Sequence, residues 1–185
     1  MNHVEKPNPN FKWPVSATRP IKAPAEKIWA VISSPGNLAH CHPFCENNPV
    51  EKWPGKGSID SVYYYSGWVY HRLFTGWFDS VGYDLEIGRK KGRKSQVSWR
   101  IHRINDTQSE LTITVFPQVL QHLSVFIRWL PHFAYLRPML RNYLISVVNG
   151  FEWYITTGEP VKRNQFGSHK WFSPDPIKRY PLKDD

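Results

Sequence analysis

The chain has 185 residues, of which 41% are hydrophobic and 15% aromatic, and its formal net charge is +9. This length suits one domain with a substantial core and disfavours two domains. The positive charge allows attraction to nucleic acid, to an anionic membrane surface or to an acidic ligand, and net charge alone does not choose among them.

The N-terminal third begins with a polar, proline-containing stretch over residues 1–11, in which we predict a flexible lead-in without a secretory signal or a lipidation motif. Alternating apolar residues predict a first strand over residues 12–21. Pro24 begins a helix whose first turn carries Glu26, close to the positive end of the helix dipole. A Ser-Pro-Gly-Asn sequence ends that helix, and a second short helix is predicted over residues 35–40.

A cluster of potential metal ligands follows the second helix, consisting of His40, Cys41, His42 and Cys45. A structural zinc site usually separates two ligand pairs by a longer excursion, and no second pair with that spacing is evident, so we predict neither a metal site nor a cofactor. A helix-ending turn with ordinary polar contacts is the simplest interpretation, although a neutral His at a cavity mouth could bind a ligand or transfer a proton. Two cysteines so close together are a poor disulfide framework, and we expect a reduced, cytoplasmic protein.

The middle of the chain contains strand-like segments separated by turn residues, at 50–53, 58–65, 68–80, 82–88, 94–105 and 110–119. Their spacing is typical of antiparallel neighbours. Alternation is clearest in the last three, where one apolar face is predicted for Tyr83, Leu85, Ile87, Val97, Trp99, Ile101, Leu111, Ile113 and Val115. Between residues 58 and 80 both faces carry aromatic residues, so the pattern leaves open which face points inward.

The segment from Phe116 to Phe151 contains no acidic residue and is crowded with large apolar side chains. Arg and Pro residues interrupt every window near the roughly 20 apolar residues that a membrane-spanning helix needs. Helical spacing instead predicts two consecutive helices, an apolar one over residues 120–134 and a long one over residues 136–157.

The C-terminal part begins at Gly158, which together with Pro160 ends the long helix. Residues 159–185 form a charged, proline-rich tail. We expect its aromatic stretch, residues 165–172, to dock against the body of the domain.

The order of elements is one strand, two short helices, about six antiparallel strands and a long C-terminal helix. It resembles the helix-grip fold of the START-related superfamily (SRPBCC), which includes polyketide cyclases, pathogenesis-related proteins and lipid-transfer domains. The residues from Arg19 to Trp29 resemble the start of that family, a strand followed by small-Pro-x-Glu-x-aliphatic-Trp, and those from Ser33 to Leu38 continue the likeness.

The resemblance covers residues 12–158 and implies an α+β, helix-grip domain, in which a curved antiparallel sheet of about six to seven strands surrounds the long C-terminal helix. In that superfamily an apolar cavity between sheet and helix holds a sterol, lipid, hormone or polyketide. The apolar insertion at 120–134 and the tail after Gly158 depart from the family pattern. Fold alone does not decide between a binding protein and an enzyme.

Carried onto this chain, the resemblance places candidate ligand-binding residues on the inward strand faces and on the long helix. They are Arg19, Tyr63, Tyr65, Tyr70, Arg72, Tyr83, Trp99, Val115, Leu140, Tyr143, Val147 and Phe151. An inward Arg could clamp a carboxylate with its planar fork, whereas an ion pair at the sheet edge is the alternative for Arg19 and Arg72. Glu152 is expected to be a solvated partner of a nearby cation.

Three functions stay open at this point. The first is binding, with or without transfer, of a hydrophobic small molecule or lipid. The second is a cyclase-like or dehydratase-like enzyme that uses acid and base residues of the cavity. The third is an interaction module without a cavity, which uses residues 120–134 as a homodimer or partner interface.

A gate or membrane contact is the role expected for the apolar insertion under the first hypothesis, through Leu123, Phe126, Ile127, Trp129, Leu130 and Phe133. Five cations in the turn at 88–94 favour contact with anionic headgroups, although a soluble turn is the simpler explanation. No nucleic-acid-binding motif accompanies the charge and the aromatic residues, so we do not expect a nucleic-acid partner.

Overall fold

The computed structural model describes residues 13–118 and 129–175. Strand β1 (Val15–Ile21) is followed by the helices α1 (Ala25–Ile32) and α2 (Leu38–Cys41). Helix α2 begins three residues later than predicted, because Gly36 has a φ of 69°, a left-handed conformation that a right-handed helix cannot include.

In the described residues, one antiparallel sheet of eight strands follows the order β1-β8-β7-β6-β5-β4-β2, with β3 also paired to β4. Beyond β1, the strands are β2 (Cys45–Asn47), β3 (Val50–Lys52), β4 (Ile59–Tyr64), β5 (Val69–Phe78), β6 (Gly82–Gly88), β7 (Ser95–Asn105) and β8 (Gln108–Phe116). The predicted helix-grip architecture is confirmed. Strand β2 was not predicted, because no strand-like segment was recognised over residues 45–47.

The long C-terminal helix is α3 (Arg137–Thr157), and a π-helical turn at His132–Leu136 leads directly into it. The predicted separation of two helices near residue 135 is wrong. Pro138 lies in the first turn of α3, directly after the π-helical turn, and the residues on both sides of it are helical. Most of the first predicted helix, including Leu123, Phe126 and Ile127, lies outside the described residues.

One face of α3 packs on the inner face of the sheet. The buried face of the helix repeats at helical spacing and includes Leu140, Leu144, Val147, Val148, Phe151 and Ile155. On the sheet side the predicted alternation is confirmed, since Leu85 pairs with Val97 and Tyr83 pairs with Trp99. None of the helices in the part of the chain that is described has the length and apolar character required to span a membrane.

The sequence pattern left open which face of β4 and of β5 points inward, and in β5 the inward face changes at a β-bulge. Tyr64 and Phe74 are buried on the inner face, whereas Tyr63 is 41% exposed on the outer face. The pairing of β5 with β6 shifts register between Phe74 and Gly76. Because the extra residue reverses the alternation, the ring of Trp77 also reaches the inner face, where it packs 5.7 Å from the ring of Phe74.

Candidate functional site

A cavity of about 320 Å³ lies between the sheet and the N-terminal half of α3. Its apolar walls include Val62, Leu85, Val97, Trp99, Ile113 and Val115 of the sheet, Leu136, Leu140, Leu144 and Val147 of the helical segment, and Trp171 and Phe172 of the C-terminal segment. The volume is near the lower end of the range of about 300–1,000 Å³ that small-molecule sites occupy. The cavity therefore suits one small apolar molecule.

Aromatic side chains fill the space beneath the C-terminal half of α3. The ring of Phe151 lies 5.0 Å from that of Trp99, and Tyr83 lies 5.0 Å from Phe74. Tyr83 and Phe151 are fully buried and do not line the cavity, so their prediction as ligand contacts is wrong. They face the predicted way, but neighbouring rings already occupy the volume next to them.

Seven of the predicted ligand-binding residues do line the cavity. They are Tyr70, Arg72, Trp99, Val115, Leu140, Tyr143 and Val147. Their contact with a ligand stays a prediction.

Three further predictions are wrong in their placement. Arg19 faces the helix side of the sheet but lies at the surface beyond the cavity, where its Nε donates to Glu152 Oε2 at 2.6 Å. Tyr63 points away from the cavity, and Tyr65 packs beneath the guanidinium of Arg163, 4.7 Å from the ring centroid. The inward tyrosine of β4 is Tyr64, which the ambiguous aromatic pattern could not identify.

Arg72 lines the cavity but is held by a buried carboxylate. Its Nε donates to Asp60 Oδ1 at 2.7 Å and its Nη2 donates to Asp60 Oδ2, while the two side chains are 3% and 0% exposed. Burial alone would lower the pKa of Arg72, but the Asp60 carboxylate outweighs burial and the pKa is raised. The guanidinium is thus charged and already bound in a bidentate pair, so Arg72 forms an ion pair, inside the core rather than at the sheet edge, and is not a free carboxylate clamp.

A hydrogen-bonded group of His42, Tyr143 and Tyr64 contributes uncharged polar groups to the cavity wall. His42 Nδ1 accepts the backbone N–H of Phe44 at 3.1 Å, which assigns the imidazole proton to Nε2. His42 Nε2 then donates to Tyr143 Oη at 2.8 Å, and the hydroxyl groups of Tyr143 and Tyr64 lie 3.1 Å apart. We call these three residues the polar triad.

Burial keeps the polar triad uncharged. It lowers the pKa of His42 to about 3, with a smaller contribution from the positive charge of Arg72. It raises the pKa of Tyr64 and of Tyr143 above the ordinary range. At neutral pH the triad therefore offers hydrogen bonds rather than charge.

A close approach of two helices positions the polar triad. His42 follows the last residue of α2, and Tyr143 lies in α3. A side chain at Gly150 would place its Cβ 2.1 Å from the backbone oxygen of Cys41, so only glycine lets α2 approach this closely. The sequence pattern could not reveal the contact, because residues 42 and 143 are 101 positions apart.

The segment after α3 closes one side of the cavity. The ring of Phe172 lies 4.4 Å from that of Tyr64 and 4.8 Å from that of Tyr143. The backbone N–H of Ser66 donates to Phe172 O at 3.0 Å, and a bridge between His169 and Ser173 fixes the turn that carries Phe172. In the sequence, Trp171 and Phe172 stand out as an aromatic pair inside a charged segment, and this pattern indicated that the segment docks against the domain.

The His and Cys cluster near α2 does not converge on one point. His40 stacks on Tyr154 at a ring distance of 5.9 Å, while His42 belongs to the polar triad. Cys41 and Cys45 are buried free thiols, and burial raises the pKa of Cys45 to about 12. Within residues 13–118 and 129–175 no group of three or more His, Cys, Asp or Glu side chains is arranged to hold a metal ion.

The cavity lining includes a cation and also a residue next to exposed apolar side chains. The guanidinium of Arg89 lies 4.6 Å above the ring of Trp68, and both residues line the cavity. Leu136 lines the same cavity, and just before it Trp129, Leu130 and Phe133 are 51%, 57% and 42% exposed. These three residues, the described part of the expected gate, are referred to below as the apolar surface.

Comparisons with known proteins identify the fold but no specific activity. No family model and no curated protein matches the chain. DynU16, from the dynemicin biosynthetic locus, aligns with a TM-score of 0.60 and 14% identity over 80% of this chain, which spans 48% of DynU16.

Two further solved structures match over nearly their whole length. A START superfamily protein from Mycobacterium smegmatis aligns with a TM-score of 0.58 and 13% identity, over 77% of this chain and 97% of its own. Norcoclaurine synthase from Thalictrum flavum aligns with a TM-score of 0.56 and 12% identity, over 79% of this chain and 95% of its own. At these identities the likeness establishes a shared fold.

Proposed function

We propose, from the START-related helix-grip fold that this chain shares with those structures, that the protein binds an uncharged hydrophobic small molecule between its sheet and α3. The observation that carries the proposal is the cavity of about 320 Å³, whose wall is mainly apolar with a few polar groups. This combination is typical of small-molecule sites, where apolar contacts supply affinity and a few polar groups fix orientation. Single-chain lipids without a charge fall within the same ligand class. The location of the protein in the cytoplasm remains a prediction.

A cyclase-like or dehydratase-like enzyme is the second candidate, and the polar triad is the observation in its favour. Such an enzyme needs a group that accepts a proton near neutral pH. His42 Nδ1 already accepts the N–H of Phe44, and its Nε2 carries a proton. Both tyrosines keep their protons because burial raises their pKa values. The triad is therefore better suited to holding a ligand than to removing a proton from it.

An interaction module without a cavity is no longer supported, because the described residues enclose one. Homodimer formation through residues 120–134 remains a prediction.

Native mass spectrometry of gently purified protein, followed by organic extraction, tests the binding proposal. We expect a noncovalent adduct that organic solvent releases. Val147→Phe, which projects a ring into the cavity, should lower the adduct fraction several-fold, since it removes volume that the ligand would occupy. Ile145→Phe is the matched control, because Ile145 is exposed on the same helix and should leave the adduct unchanged.

A protein that carries no adduct from any expression host and binds no apolar probe would contradict the proposal. Mass conversion of the released molecule on incubation with fresh protein would instead favour the enzyme.

A further inference from the structure

The polar triad contains one more hydrogen-bond donor than the hydrogen bonds that form within it. His42 Nε2–H, Tyr64 O–H and Tyr143 O–H are three donors, and the group forms two hydrogen bonds within itself. His42 Nε2–H is used by Tyr143 Oη, and the bond between the hydroxyl groups uses one phenolic O–H. Whichever tyrosine donates in that bond, the other O–H has no acceptor among the described residues.

A buried hydroxyl without an acceptor is costly, so a ligand that supplies one gains affinity beyond its apolar contacts. Tyr64 and Tyr143 both line the cavity, and the unused O–H is therefore available to a bound molecule. This hydrogen-bond donor lies among apolar walls, where a single acceptor atom on a ligand would determine its orientation.

The charges around the triad disfavour an anionic acceptor. The guanidinium of Arg72 is held by Asp60 in a bidentate pair, and His42 carries no charge. A ligand carboxylate next to the triad would lose its hydration without meeting an unpaired cation. Arg89 is the lining cation without a carboxylate partner among the described ion pairs, and its guanidinium lies on the ring of Trp68.

We propose that the ligand is a mainly apolar, uncharged molecule with a carbonyl or similar acceptor oxygen, which accepts the unused phenolic O–H of Tyr64 or Tyr143. This inference rests on the proposed binding function and adds the chemical class of the ligand. The site should prefer a ketone over a hydrocarbon of the same shape and over the corresponding carboxylate.

Three naphthalene probes of nearly equal shape test the inference, namely the acetyl, isopropenyl and carboxylate derivatives substituted at one ring position. Isothermal titration gives the affinity of each probe for the wild-type protein and for the double variant Tyr64→Phe/Tyr143→Phe. The ratio of ketone affinity to alkene affinity is the readout, because the hydration of each probe is the same for both proteins and cancels in the comparison.

We expect this ratio to be about tenfold higher for the wild-type protein than for the double variant. Tyr63→Phe removes an exposed phenol from the other face of the same strand and should retain the wild-type ratio. The carboxylate should bind more weakly than the ketone, and Arg89→Ala should leave that order unchanged.

Equal ratios in the wild-type protein and the double variant would overturn the inference while leaving the binding function intact. So would a carboxylate that binds as tightly as the ketone in Arg89→Ala. Failure of the wild-type protein to bind any of the three probes would overturn the proposed function, and this inference with it.

Infrared difference spectroscopy provides a second readout that needs no variant. The carbonyl band of the acetyl probe bound to the wild-type protein should shift to lower wavenumber than in an apolar solvent, because the carbonyl accepts a hydrogen bond. An unshifted band would contradict the inference even if the double variant failed to fold.

Discussion

At the scale of single residues, the notable feature is that Asp60, Arg72 and His42 are buried beside the cavity and each has an ion-pair or hydrogen-bond partner. Asp60 and Arg72 form a bidentate ion pair, and His42 is bonded both to Phe44 N–H and to Tyr143 Oη. Buried polar groups are tolerated only with partners of this kind, and they favour one arrangement of the core. The consequence for stability is clearest at His42, whose protonation state differs between the folded and unfolded chain.

We expect His42 to make the protein less stable as the pH falls from 7 to 5. The folded protein keeps this imidazole neutral down to a pKa of about 3, whereas the unfolded chain binds a proton near pH 6.5. Because the pKa of His42 is lower in the folded protein than in the unfolded chain, its contribution to stability is complete above about pH 6.5. That contribution declines as the pH falls below this value.

The variant His42→Asn removes this titration and still offers an acceptor to Phe44 N–H. Between pH 7 and pH 5 it should lose about 2 kcal/mol less free energy of unfolding than the wild-type protein, measured by urea denaturation. His169, whose pKa burial also lowers, is present in both proteins and cancels in the difference. Identical pH dependence in the two proteins would mean that His42 titrates normally when folded.

At the scale of elements, the contact between α2 and α3 positions the site. Helix α2 has only four residues, so its place is determined by packing rather than by its own helical stability. Gly150 lets the backbone of Cys41 lie against α3, and the residue that follows Cys41 is His42. A larger residue at position 150 would move α2 and with it the first donor of the polar triad.

We expect Gly150→Ala to lower the free energy of unfolding by about 1–3 kcal/mol, because the new methyl group overlaps the Cys41 carbonyl. The sign of this change in free energy is informative, since a Gly-to-Ala change in an unobstructed helix stabilises the protein by about 0.5–1 kcal/mol. Urea denaturation measures both. Asn142→Ala, at an exposed position of α3, is the control and should stay within about 0.5 kcal/mol of the wild type. A stabilised Gly150→Ala protein would contradict the close approach.

At the scale of the whole molecule, an exposed apolar surface lies beside a cation and next to the cavity-lining residue Leu136. The apolar surface consists of Trp129, Leu130 and Phe133, and the guanidinium of Arg137 lies 5.6 Å from the ring centroid of Phe133. The basic turn between β6 and β7 contributes Arg89 to the same cavity that Leu136 lines. Apolar rings beside cations fit an anionic lipid surface, and we propose this surface as a membrane contact near the ligand cavity.

The protein should therefore sediment with phosphatidylcholine vesicles that contain phosphatidylserine, and less so when phosphatidylserine is omitted or salt is added. Trp129→Ser/Phe133→Ser should weaken this binding at least about tenfold, because two aromatic side chains no longer enter the headgroup region. Leu73→Ser/Ile104→Ser, which removes exposed apolar residues of the sheet, is the matched control. Light scattering that rises with protein concentration, without vesicle binding, would favour a dimer interface instead.

How far the sequence predicted the protein depends on the length scale of each feature. Periodicity alone predicted the buried face of α3, the inward faces of β6, β7 and β8, and the element order from which the helix-grip fold was identified. These features are local, because the alternation of a strand and the repeat of a helix are properties of neighbouring residues.

The site itself was decided by tertiary structure. The sequence could not choose Tyr64 over Tyr63, because consecutive tyrosines put an aromatic side chain on both faces of β4. Neither could it pair Arg72 with Asp60 or show that residues 169–173 complete the cavity wall. Sequence alone thus determined which elements form and which faces are apolar. Packing between distant segments decided where a cavity remains and which polar groups reach it, because contacts between distant residues leave no local periodic signal.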